Sequence, residues 1–147
     1  MKIAVGNDHI GFTLIAELLE YLETKKINFD HLGTFKKERI HYPDIAFNLS
    51  ESVSAGKYDQ GILICGTGLG MSLAANQVKG IRAAVCNDPY SAKMAKSHNN
   101  ANIICLGSRI IGIEMAKMIL HNWFGAEFEG GRHNIRIEMI NNYKDSK

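Results

Sequence analysis

Short apolar runs alternate along this chain with segments whose apolar residues recur every three or four positions. That alternation predicts a parallel sheet covered by helices on both faces. Strand candidates are residues 3–7, 28–32, 61–65, 83–86 and 103–106, most of them almost wholly apolar, as strands buried on both faces are. Between them, Ile15, Leu18, Leu19 and Leu22 fall on one helical face, and Ile45, Ala46, Leu49 and Val53 share another after Pro43. A third helix is expected to begin in a glycine-rich loop and run to about residue 78. A fourth starts at Asp88-Pro89, a capping residue followed by a first-turn proline, and a fifth covers residues 110–121. After Gly125 a turn leads into a last helix whose Ile135, Met139 and Ile140 form a narrow stripe in need of something to pack on, such as a second subunit. No linker or repeat interrupts residues 1–147. The expected fold is one α/β domain: a Rossmann-like, three-layer α/β/α sandwich with a five-stranded parallel sheet and a C-terminal helix reaching toward a partner.

Composition narrows the class without changing the fold. A chain of 147 residues buries about two-thirds of the surface that its unfolded form exposes. Charged residues are 22% and hydrophobic residues 46%, values that exclude disorder and low complexity. A formal charge of +2 without runs of like charge offers no hold for nucleic acid or a membrane surface, so small neutral or anionic partners are expected. Asp8 and His9 interrupt the first apolar run, and no stretch of about 18 apolar residues follows. Neither a secretory leader nor a membrane span is therefore expected, which suggests the cytoplasm. Cys65, Cys86 and Cys105 are odd in number and lack CxxC spacing, which argues for free thiols over disulfides or structural zinc.

In an open parallel sheet, ligands bind beyond the carboxyl ends of the strands. Here those ends carry Asp8-His9, Cys65-Gly66-Thr67-Gly68-Leu69-Gly70, Asn87-Asp88 and Gly107-Ser108-Arg109. The glycine loop is not a Walker P-loop, because Met71-Ser72 stand where Lys and Ser/Thr are required. It also fails the dinucleotide fingerprint, since Met71 replaces the last small residue and the loop follows the third strand rather than the first. It is then either a tight turn or a cradle of main-chain N–H groups for an oxyanion or phosphate. Cys65 is either a small hydrophobe, as Cys86 and Cys105 are read, or a thiolate favoured by the helix start beyond it. His98, with Asn99 at the end of the fourth helix, either complements the helix dipole or performs chemistry. His9, beside Asp8, stands where a functional histidine would. Arg132 and Arg136, spaced i, i+4, are either a solvated basic pair or a phosphate clamp. His31, His41, His121 and His133 show no metal-ligand spacing.

Taken together, GNDHIGF, ERIHYPD, ILICGTGLGMSLAANQVKGIRAAVCNDPYSAKMAKSHNNANIICLGSR and EGGRHNIR closely resemble the B-type ribose-5-phosphate isomerase family, which includes galactose-6-phosphate and allose-6-phosphate isomerases. The resemblance spans nearly the whole chain. It implies a metal-free, cofactor-free interconversion of ribose 5-phosphate and ribulose 5-phosphate, a pentose phosphate pathway reaction, in a homodimer or homotetramer whose sites use residues of two subunits. Position by position it implies Cys65 as the proton-transferring base and His98 as the ring opener, with Asp8 as its acid–base counterpart. Asp8 and His9 would bind substrate, and Gly66, Thr67, Gly68, Leu69 and Gly70 would hold the intermediate's oxygens, with Thr67 at the ring oxygen or O1. Asn99, Arg109, Arg132 and Arg136 would supply the remaining contacts, the arginines to phosphate. The same chemistry on a hexose 6-phosphate such as allose or galactose 6-phosphate, or a non-catalytic sugar-phosphate sensor, are the alternatives.

The residue types suit that chemistry. Taking a weakly acidic proton from C2 needs a base within about 3.2 Å. Each N–H already aimed at the developing enediolate oxygen contributes roughly 2.7–4 kcal/mol. Base and N–H cradle must adjoin because they act on neighbouring atoms.

Overall fold

The apolar runs become β1 (Lys2–Asn7), β2 (Asn28–His31), β3 (Gln60–Cys65), β4 (Ala83–Val85) and β5 (Ile103–Gly107). They form one parallel sheet in the order β2-β1-β3-β5-β4. The helices are α1 (Phe12–Thr24), α2 (Tyr42–Ser54), α3 (Leu69–Ala75), α4 (Pro89–Ser97), α5 (Ile113–Gly125) and α6 (Arg132–Tyr143). This computed structural model describes residues 1–143 and Ser146.

Strand parity sorts the core into two layers. Ile3, Val5, Ile62, Ile64, Ile104 and Leu106 face α1, α4 and α5, where Leu18, Leu22, Ile119 and Trp123 complete the packing. Ala4, Leu63, Cys65, Ile103 and Cys105 face α2 and α3, against Leu49, Val53, Met71 and Ala75. Each large aliphatic side chain so buried contributes about 1.5–3 kcal/mol. A slip of one residue in β3 would send Cys65 to the opposite layer, so the packing of Ile62 to Ile64 fixes where that thiol points.

The sheet order creates a crevice. From β1 the chain moves outward to β2, then crosses back to β3 on the other side of β1. The connections of β1 and β3 therefore diverge, and the gap between their carboxyl ends is where open α/β sheets hold ligands. Asp8 and Cys65–Gly66 occupy that edge, and the Asp8 N–H donates to the Ile64 carbonyl at 3.1 Å.

The structure departs from the sequence-based expectations in three places. The third helix stops at Ala75 rather than near residue 78, because the Asn76 side chain pairs with both backbone groups of Ala83, at 2.9 and 2.8 Å, and draws the chain off toward β4. The fifth helix begins at Ile113, since the N–H groups of Ile110 and Ile111 both go to the Gly107 carbonyl in a turn. Strand β4, apolar as it is, forms an edge and is only half-buried. In α6 the stripe of Ile135, Met139 and Ile140 stays 65%, 69% and 60% exposed, as a face without a partner in its own chain would be, while His133 and Ile137 dock the helix.

Candidate active site

The carboxyl edge is knit together by main-chain hydrogen bonds. The Ser108 N–H donates to the Cys65 carbonyl at 2.9 Å, the Arg109 N–H to the Gly66 carbonyl at 3.0 Å, and the Ser108 hydroxyl to the Ile10 carbonyl at 3.0 Å. Three strand ends, those of β1, β3 and β5, are thereby held as one surface. Gly107 lets β5 and the loop meet: a Cβ there would lie 2.8 Å from the Thr67 backbone.

Within this surface Gly68 takes φ +78°, a left-handed conformation that glycine adopts without cost, and caps α3. Its N–H turns back onto the Cys65 Sγ at 3.1 Å. Cys65 is 5% exposed, whereas Cys86 and Cys105 are 1% and 0%. Burial, then Asp88, pushes the Cys86 thiol up to about 12, and burial raises that of Cys105 well above the ordinary range. Those two cysteines are inert packing, as read from the sequence, and Cys65 alone among the three receives a loop N–H. Thr67 is exposed, its hydroxyl accepting the Leu69 N–H at 3.3 Å, and Leu69 is exposed beside it. The stem of Arg109 runs along Gly66, with Cδ 3.6 Å from where a Cβ would stand. The ring of Tyr42, at the start of α2, packs on Gly70.

Asp8 is buried, and its Oδ1 accepts the N–H groups of Ile10 and Gly11, both at 2.9 Å. The carboxylate is thereby fixed at the start of α1, where negative charge is favoured. His9 accepts the Ile40 N–H on Nδ1 at 3.2 Å, which leaves Nε2 as its hydrogen-bearing nitrogen.

Asn7, which the sequence reading passed over, organises this region. Fully buried, it donates from Nδ2 to the carbonyls of Asp8 (3.0 Å) and Thr34 (2.8 Å), and its Oδ1 pairs with His31 Nε2 at 2.7 Å. It ties the 32–34 turn to the end of β1. Its position next to Asp8 was the available signal, since an amide ending a buried strand must find partners there.

His98 and Asn99 lie elsewhere. Helix α4 starts beyond the carboxyl end of β4 and returns along the sheet, so its last turn sits at the amino edge where β5 begins. The strand span from Ile103 to Gly107 separates the two edges by about 13 Å at roughly 3.3 Å per residue. At that amino edge the rings of His98 and His133 stack, with centroids 4.4 Å apart and planes at 15°. Their Nε2 atoms approach one oxygen, Oε2 of Glu129, at 3.6 and 3.7 Å. The Glu129 N–H is pinned to the Ser97 carbonyl at 3.0 Å. Burial, then the neighbouring His98 and Arg132, lowers the pKa of His133. Arg132 and Arg136 are exposed on α6 beside this cluster. A cavity of about 610 Å³ is also at this edge, between the 78–82 turn, β4, Asn99 just beyond α4 and Ile140 of α6.

A single chain thus brings together Asp8, His9, Cys65, Gly66 to Gly70 and Arg109, and separately His98, Asn99, Arg132 and Arg136. Sequence reading missed Glu129 and His133, whose meeting with His98 depends on the turn that brings α6 under the sheet.

Topology and strand-end crevice together define a Rossmann-like α/β protein with its candidate chemistry at the β1/β3 switch point. The chain belongs to the ribose/galactose isomerase family, whose model matches residues 3–140. It is 48% identical over 139 residues to ribose-5-phosphate isomerase B of Escherichia coli (strain K12), across 95% of this chain and 93% of that protein. It is 43% identical over 149 residues to a Pectobacterium atrosepticum protein named D-erythrulose-4-phosphate isomerase, across 98% of this chain and 95% of that one. The solved ribose-5-phosphate isomerase B of Clostridium thermocellum matches with a TM-score of 0.97 at 44% identity, covering 99% of each chain.

Proposed function

We propose that this chain is an aldose–ketose isomerase interconverting ribose 5-phosphate and ribulose 5-phosphate through an enediolate, with each site shared between two copies. The observation that carries the reading is the Cys65 thiol under the Gly66–Gly70 loop at the switch point, with the Gly68 N–H 3.1 Å from sulfur. Cys65 as thiolate takes the C2 proton of the open-chain aldose and returns it to C1, while one proton moves from O2 to O1, so no atom is gained or lost. Loop N–H groups and Thr67 hold the oxygens as charge develops on them. Asp8, fixed by two N–H groups, and His9 bind the hydroxyls.

Ring opening and phosphate binding need His98, Asn99, Arg132 and Arg136, which lie at the other edge of the same chain's sheet. A two-fold partner would present that edge to this crevice, making His98 of the partner subunit the acid–base group opposite Asp8. Arg109 from this chain, with Arg132 and Arg136 of the partner subunit, would then clamp the phosphate, and binding energy from that remote group would position the reacting carbons. The exposed stripe of Ile135, Met139 and Ile140 is the kind of surface such a partner covers. Residues 1–147 act as one domain in this reading, and such an assembly suits a cytoplasmic enzyme. No helix among the described residues is long and apolar enough to cross a membrane.

The relative named for erythrulose 4-phosphate favours a second reading, the same proton transfer on a sugar phosphate of another length. A coupled assay with and without chelator, comparing kcat/KM on ribose 5-phosphate, erythrose 4-phosphate, allose 6-phosphate and galactose 6-phosphate, decides between them. The largest value on ribose 5-phosphate supports the pentose reading. Binding of all four without turnover would mean a sensor.

A further inference from the structure

We infer that His98, Glu129 and His133 form a binding site for a zinc-like transition-metal ion, and that filling it stops isomerisation by removing His98 from the reaction. The three side chains offer two imidazole nitrogens and one carboxylate oxygen, all within 4.8 Å of one another. Two His and one carboxylate are a ligand set that zinc accepts, with a fourth position left open. Zinc bonds of about 2.0–2.1 Å in a tetrahedral arrangement place ligand atoms roughly 3.4 Å apart. The observed separations from Glu129 Oε2, 3.6 Å to His98 and 3.7 Å to His133, exceed that by only a few tenths of an ångström. The rings, stacked 15° from parallel, would tilt apart so that both lone pairs meet at the ion.

The site is partly built in advance. His133 is buried, so its ring has little freedom, and Glu129 is held by its N–H on the Ser97 carbonyl. The Glu129 carboxylate itself is exposed, which leaves an open path for an ion. Arg132 and Arg136 stand on the same helix and repel cations. An ion must therefore bond strongly to nitrogen to enter, which selects zinc, nickel or copper and rejects magnesium and calcium. Metal binding depends on these three residues alone. Inhibition rests additionally on the ring-opening role proposed for His98.

The test uses the full chain after dialysis against a chelator. Zn²⁺ binding is read by calorimetry and Co²⁺ binding by its visible absorption, on wild type, Glu129→Gln, His133→Gln and Cys65→Ser. Glu129 is exposed, so its variant leaves the core intact even if the one at His133 does not fold. One ion per chain is expected for wild type and Cys65→Ser. The Glu129 and His133 variants should weaken binding by more than about 100-fold, beyond the roughly 10- to 100-fold loss that outer-shell changes alone can bring. Zn²⁺ should also arrest turnover of ribose 5-phosphate by wild type, reversibly with chelator, and spare Glu129→Gln at the same concentration. Equal affinity in Glu129→Gln and wild type, or loss of binding in Cys65→Ser, would overturn the site. Metal bound at these residues without inhibition would overturn the inhibitory role while leaving the isomerase reading intact. A wild type inactive even without metal would count against that reading and leave the calorimetry to judge the site.

Discussion

At the carboxyl edge of the sheet the candidate residues are joined by main-chain bonds across three strand ends, whereas at the amino edge they meet chiefly through side chains. Cys65, Asp8 and the glycine loop sit in a web of backbone bonds among three strand ends, with Gly68 locked at φ +78°. His98, Glu129 and His133 meet through ring stacking and a shared carboxylate, with a single backbone bond from Glu129 to Ser97 beside them, next to two exposed arginines. The difference suits two tasks. An enediolate needs donors fixed before charge develops, because reorganising them during the reaction raises the barrier. A sugar ring and a phosphate must enter and leave, which suits side chains on a helix whose apolar stripe faces outward.

Removing the thiol attacks the rigid edge where the expected effect is largest. Cys65→Ala is expected to lower kcat by about 100- to 10,000-fold, the range for a positioned base, with KM little changed. Exchange of the C2 proton with solvent, followed by deuterium incorporation, should fall in parallel. Exchange at the wild-type rate would remove Cys65 from the role of base.

Asn7→Ala tests whether the rigid edge depends on its buried amide. Leaving the carbonyls of Asp8 and Thr34 without their donor is expected to cost about 1–3 kcal/mol in urea unfolding. A loss below a few tenths of a kcal/mol would mean that the 32–34 turn is held otherwise. At Gly68 the backbone is the probe: Gly68→Ala forces a side chain into the left-handed region, a strain of about 1–2 kcal/mol. It should lower kcat as well as Tm, since the N–H on Cys65 moves with it. A lower Tm with wild-type kcat would show the loop to be a turn and no more.

The smallest expected effect is a pH dependence at His31. Burial lowers its pKa in the folded chain, so below the unfolded value of about 6.5 the folded state binds fewer protons than the unfolded one. Its contribution to stability is full above that value and is lost as pH falls through the lowered one. His31→Asn should therefore lose less stability than wild type between about pH 7.5 and about pH 5.5. Equal losses in the two proteins would assign the acid sensitivity to other groups.

Periodicity together with cap and glycine signals located the strands and helices within a few residues, because buried parallel strands and one-sided helices leave distinct patterns. The carboxyl-edge half of the candidate site was legible for a related reason: polar residues at the ends of apolar strands have few places to go. The amino-edge half was legible only as residue types. Direction along the sheet was in fact readable, since a helix following a parallel strand must return to the amino edge, and the end of α4 could have been placed there. The meeting of Glu129 and His133 with His98 was not, because it depends on where the Gly130–Gly131 turn sends α6. Ile135, Met139 and Ile140 were legible as a stripe with nothing of its own chain to pack on, and they stay exposed while His133 and Ile137 supply the contact within the chain.

The central claim, that one site draws Cys65 from one copy and His98 from another, is tested most directly by mixing two inactive variants. Cys65→Ala and His98→Asn are unfolded together at equal concentration, refolded, and assayed for ribose 5-phosphate isomerisation. In a two-fold dimer with shared sites, half the dimers are mixed and each carries one intact site, so about a quarter of wild-type activity should return. Activity no higher than that of either variant alone would contradict the account, because it would mean that both residues serve the same chain's site.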